Sequence, residues 1–180
     1  MALEVEVDPG THEIRLEKTG YFPRKFDVTV SAGETKNINR TMIPTNACTI
    51  QSVSFNPSAP KVGDTVSATV AVRNNTGESR DVRVLLEISY LDVSKQQEGA
   101  IAANTTRNFV FSFTASMAGN HPYTVIVKTY VDEHPDGDDY YETDRREGTL
   151  PVSERKATLV ITTTPAGVAV YVDGQYRGVT

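Results

Sequence analysis

The sequence predicts an all-β protein: an antiparallel immunoglobulin-like β-sandwich flanked at either end by a partial β-sheet segment. Three observations carry this. Apolar and polar residues alternate with period two along much of the chain, the pattern of strands half buried on one face. Turn residues such as Asp8-Pro9-Gly10, Val62-Gly63-Asp64 and Asp173-Gly174 punctuate that alternation at short intervals. No segment carries a helical period of useful length, and Thr, Val and Ser are abundant, a bias that favours strands.

The first partial sheet is expected over residues 1–44. Leu3, Val5 and Val7 alternate with Glu4 and Glu6 before Asp8-Pro9-Gly10 turns the chain. His12, Ile14 and Leu16 then alternate with Glu13, Arg15 and Glu17 until Lys18-Thr19-Gly20-Tyr21 breaks the pattern. Phe26, Val28 and Val30 mark a third strand, Ser31-Ala32-Gly33-Glu34 a turn, and residues 36–42 a fourth strand. Ile43-Pro44-Thr45-Asn46 punctuates the chain and marks a domain boundary.

Residues 47–153 hold the sandwich, with strands expected near 48–55, 65–73, 81–89, 96–101, 105–115, 123–131 and 145–152. About seven short strands at such spacing indicate an immunoglobulin-type sandwich, and the absence of a Cys…Trp…Cys pattern excludes the antibody type. Pro151 and the charged Ser153-Glu154-Arg155-Lys156 close it. Residues 157–180 form the last segment: a strand at 158–162, a turn at Pro165-Ala166-Gly167, a strand at 168–172, and the hairpin signal Asp173-Gly174 before a returning strand.

Composition narrows the function classes. The chain has 180 residues, 38% of them hydrophobic, enough for a globular core. A net charge of -5 leaves no basic field for nucleic acid or anionic lipid. No apolar run approaches the ~20 residues that span a bilayer, so direct membrane insertion is not expected, and the start does not read as a signal peptide. Met1 runs straight into strand-like sequence, as expected of a repeat unit taken from a longer protein. The single cysteine, Cys48, excludes an intrachain disulfide and reads as a small buried residue.

The terminal segments carry family marks. Pro165-Ala166-Gly167-Val168, then Val170-Tyr171-Val172-Asp173-Gly174 and Gly178-Val179-Thr180, resemble the front half of a PEGA domain, with Ala166 where that family has its eponymous Glu. Pro9-Gly10-Thr11-His12, Lys18-Thr19-Gly20-Tyr21 and Val28-Thr29-Val30 ahead of Gly33-Glu34 resemble the back half. Between them, Val62-Gly63-Asp64-Thr65-Val66 leading to Ala71-Val72-Arg73-Asn74-Asn75-Thr76-Gly77, with Val125-Ile126-Val127, Val131-Asp132 and Glu142-Thr143-Asp144, resembles a CARDB domain, the cell-adhesion-related sandwich of bacterial and archaeal surface proteins. The resemblances imply a non-enzymatic repeat protein located extracellularly, on the cell surface, in archaea or bacteria.

Candidate chemistry is sparse. The acidic run from Asp132 to Asp139 reads either as a solvated loop or as a Ca²⁺ site, for which Asp132, Asp136, Asp138 and Asp139 would supply the oxygens. It is not an EF-hand, because Thr143 stands where the bidentate Glu would fall. Apart from that ion no cofactor is expected. His12, His121 and His134 lack ligand-spaced partners. No nucleophile elbow or phosphate-binding glycine loop occurs, so no enzyme is expected. Sequons place candidate glycosylation sites at Asn39, Asn74 and Asn104. Tyr140 and Tyr141, adjacent on a strand, point to opposite faces, and one of them could stack on a sugar.

An odd number of sandwich strands sends the two flanking segments out at opposite ends. Strands of 6–8 residues separate those ends by roughly 20–27 Å, while each four-residue link spans at most ~14 Å. Pairing residues 157–180 of one copy with residues 1–42 of the next avoids that gap. The expected function is a structural module of an extracellular stalk, sheath or filament, with other copies or adjacent repeats as partners. The alternative is an adhesion module whose sandwich loops bind surface glycans or proteins. A third reading is an accessory domain of a secreted hydrolase.

Overall fold

Strand β4 (Thr65–Asn74) shows how the sequence builds the core. Val66, Ala68, Val70 and Val72 alternate with polar or small residues, and all four are fully buried. Each large apolar side chain so placed contributes about 1.5–3 kcal/mol. The computed structural model describes residues 3–180, so residues 1 and 2 of the expected first segment lie outside the described residues.

The central strands are β3 (Cys48–Asn56), β4, β5 (Arg80–Ile88), β6 (Val93–Ile101), β7 (Thr106–Thr114), β8 (Gly119–Val131) and β9 (Asp139–Val152). They form a three-stranded sheet, β3-β4-β7, facing a four-stranded sheet, β6-β5-β8-β9, with every ladder antiparallel. This is an immunoglobulin-like sandwich in which the fourth strand joins the second sheet. Phe109, Phe111, Val84, Leu86 and Val127 close the core between the sheets. The register runs one residue slipped between Ile50 and Ser52 and again between Val127 and Lys128, bulges that bend the edge strands.

Asn74 ends β4 fully buried and fixes the loop that follows. Its amide nitrogen donates to the carbonyls of Glu78 at 2.7 Å and Ile101 at 2.9 Å. Its carbonyl accepts from the amide and hydroxyl of Thr76. Cys48 lies in the core near Thr129, and burial pushes its thiol pKa up.

The flanks are two-stranded ribbons. β1 (Gly10–Leu16) pairs with β2 (Arg24–Val30), and β10 (Ala169–Val172) with β11 (Gln175–Val179) around Asp173-Gly174. Residues 3–7, 36–42 and 158–162 alternate like strands but join no ladder. Alternation reports the two faces of a segment; a strand also needs a neighbour to bond.

Candidate interaction surfaces

Residues around the 43–47 link form a joint rather than a free linker. Phe22, Ile43, Ala47 and Val131 make a second small core with Tyr141 packed against it. Backbone bonds tie the link down, from Phe22 N–H to Ile43 O at 2.8 Å and from Thr45 N–H to Gly20 O at 2.9 Å. Tyr141 stacks on His134 with centroids 3.9 Å apart, and Phe22 meets Tyr141 at 5.9 Å.

Arg24 completes this joint. Only 6% exposed, it donates to Asp132 at 2.7 Å, to Glu133 at 3.1 Å and to the Thr41 carbonyl at 2.7 Å. Arg40 adds bonds to both oxygens of Glu133, and Lys25 N–H donates to the Glu133 carbonyl at 2.6 Å. Burial acts to raise the Glu133 pKa, but Arg40 and Arg24 outweigh it and hold the carboxyl below its usual range.

The four aspartates named as a Ca²⁺ set are not brought together. Asp132 is paired with Arg24, and Asp136 projects into solvent. Asp138 accepts from Glu133 N–H and Asp139 from Tyr140 N–H. Among the described residues no three His, Cys, Asp or Glu side chains gather as a metal-binding group. The loop is turned towards Arg24 and its own backbone. Asn39 and Asn104 are exposed, whereas Asn74 is buried with its amide fully engaged, so the folded chain has no room for a glycan there. His12 bonds the Asp8 carbonyl and His121 is buried against the Met117 carbonyl.

Tyr140 and Tyr141 do face opposite ways. Tyr141 enters the joint, while Tyr140 meets Tyr130 at 5.5 Å on the outer face, with the Arg83 guanidinium 4.2 Å from its ring. Sequence reasoning missed Phe22, Arg24, Arg40 and Ile43. An apolar residue on each side of a supposed link was the available signal.

The terminal segments present unpaired backbone and apolar side chains. Leu3 is 88% and Val160 82% exposed, and Val5, Val7 and Leu159 are exposed too. On β10–β11, Tyr171 and Tyr176 form an exposed edge-to-face pair. The ribbons leave the sandwich at opposite ends: Cys48 lies beside Asn74 at one, and Ser153 bridges Lys61 at the other.

A family model described as the PEGA domain matches residues 2–46. No curated protein matches the chain significantly. Among solved structures, a Paenibacillus cycloisomaltooligosaccharide glucanotransferase complexed with cycloisomaltoheptaose is similar at 20% identity and TM-score 0.44, over 59% of this chain and 14% of that protein. The CARDB domain of a Pyrococcus furiosus protein, in complex with di-metal ions, is similar at 12% identity and TM-score 0.44, over 61% of this chain and 93% of that domain. A Bacillus subtilis sporulation control protein is similar at 15% identity and TM-score 0.37, over 59% of this chain and 49% of its own.

Proposed function

We propose that the chain is a non-catalytic structural module of an extracellular surface repeat protein, a stalk, sheath or filament, whose terminal segments complement neighbouring copies or adjacent repeats head to tail. The observation that carries this is a two-stranded ribbon at each end of the sandwich, flanked by residues 3–7 and 158–162, which join no ladder and expose Leu3, Val5, Val7, Leu159 and Val160. An isolated two-stranded ribbon is marginal in water and gains stability from further strands and apolar cover. The nine-residue β3 sets the two ends roughly 25–30 Å apart, so pairing within one molecule would stretch residues 154–162 out as a bridge and leave 158–162 unable to add a strand. A second copy meets no such limit, and a front-to-back contact repeats into a filament unless it closes a ring. The PEGA match over residues 2–46 supports a surface setting. Light scattering with electron microscopy tests the reading. The full chain should elongate with concentration, and a chain lacking residues 157–180 should stay monomeric; elongation of the truncated chain refutes it.

One observation favours a second reading, an adhesion module. Tyr130 is 38% exposed beside Tyr140 and Arg83, an aromatic surface with flanking hydrogen-bonding groups of the kind that sugars stack on. Binding of the full chain to a glycan array, lost in Tyr130→Ala, is its test.

A further inference from the structure

β3 and β9 connect the sandwich to its two flanks, and they are neighbours. Each is the edge strand of its own sheet, and they run side by side in the same direction. β9 side chains bond the outward backbone of β3. Ile50 N–H donates to Asp144 at 2.7 Å, and Arg146 donates to Ile50 O at 2.9 Å and to Gln51 O at 3.2 Å. The bulge in β3 falls at this same place. Towards the other end, Val62 N–H donates to Ser153 O and Ser153 N–H to Pro60 O, both at 2.9 Å. Arg155 extends the seam, donating to Val62 O and pairing with Asp64.

We propose that this β3–β9 seam is a mechanical clamp that lets the sandwich carry tension along its length. The flanks leave from opposite ends, so tension applied through them pulls β3 and β9 past one another along their shared axis. A seam loaded in this way shares the force among all its bonds, which must break together. A ladder pulled from one end yields one bond at a time. The charged members, Asp144 and Arg146, make hydrogen bonds roughly twice as strong as neutral ones. Each therefore raises the barrier to sliding more than a plain backbone pair would. The clamp acts within one molecule, so it holds whether or not copies associate.

Single-molecule pulling of the full chain through handles at its termini tests this. The sandwich event is recognised by the length it releases, roughly 350 Å for about 105 residues. The double variant Asp144→Ala/Arg146→Met should raise the forced-unfolding rate about ten-fold or more and lower the rupture force at every pulling speed. Val84→Ala, in the core away from the seam, should lower urea stability at least as much but the rupture force less. A third arm pairs the N-terminal handle with one at Asp136→Cys, on the same end of the sandwich, where the strands should peel at a much lower force. The clamp is overturned if the seam variant ruptures at the wild-type force, if Val84→Ala weakens the chain mechanically as much, or if both pulling directions give one force.

Discussion

The guanidinium of Arg24 lies 2.7 Å from the carboxylate of Asp132, a residue 108 positions further along the chain. That bond joins the N-terminal ribbon to the tip of the β8–β9 hairpin, with Glu133 and the Thr41 carbonyl as further acceptors. The acidic run thus serves as an anchor for an arginine. Glu133 adopts φ 51°, a left-handed conformation unfavourable for a residue with a Cβ. Its carbonyl on Lys25 N–H and its carboxylate between two arginines hold it there.

Arg24→Ala should destabilise the protein by about 2 kcal/mol, since it removes charged hydrogen bonds and strands partly buried acceptors. The loss should be local. Amide exchange in β1 and β2 should accelerate while β4, β5 and β8 keep their protection. Unchanged protection of the ribbon would sink the anchoring role.

The joint should also respond to acid. Glu133 has a folded pKa below its unfolded value of about 4.5, so its contribution is fully present above that value and lost as pH falls through the folded one. Ribbon docking should therefore hold steady at neutral pH and weaken below about pH 4.5. Near-ultraviolet circular dichroism, sensitive to Tyr141 in the joint, can follow it. Glu133→Gln should lack that acid transition; coincident profiles for the variant and the wild type would remove Glu133 as its source.

The sandwich was legible because burial imposes alternation on strands such as β4. Boundaries failed where both faces are polar. β9 begins at Asp139, not near 145, and the added stretch carries Asp139, Glu142 and Asp144 beside its tyrosines. The joint left one local signal, the apolar Ile43 and Ala47 on either side of the link. Phe22 follows one stretch that reads as a turn and Ile43 opens another, and no local pattern links Arg24 to Glu133 across 109 positions. The four aspartates pose the same difficulty. Clustering in sequence says nothing of what the neighbouring element brings to each, and here it brings Arg24 to Asp132 alone of the four.

Asn74→Ala should cost about 3 kcal/mol, because it leaves the carbonyls of Glu78 and Ile101 and the Thr76 amide short of partners inside the sandwich. Urea unfolding measures this. The same burial predicts that chain produced in a glycosylating host carries glycans at Asn39 and Asn104 and none at Asn74. A folded product with an occupied Asn74, found by mass spectrometry, would contradict the hydrogen-bond assignment.

Gly148 faces Tyr123 across the β8–β9 ladder, and a Cβ built on it would overlap the hydroxyl end of the Tyr123 ring. That ring in turn packs edge-to-face on Phe55 at 5.1 Å, and Phe55 on Phe113 at 6.4 Å. The glycine is therefore needed for space, so that the tyrosine can lie across the strand and cover the mouth of the core. Gly148→Ala should destabilise by about 1–3 kcal/mol through overpacking. If the obstruction is Tyr123 itself, the effect must vanish once the ring is gone. Gly148→Ala should then cost little in a Tyr123→Ala background, a coupling that a double-mutant cycle reads directly. Additive losses would mean that Gly148 is required for its backbone and not for the ring above it.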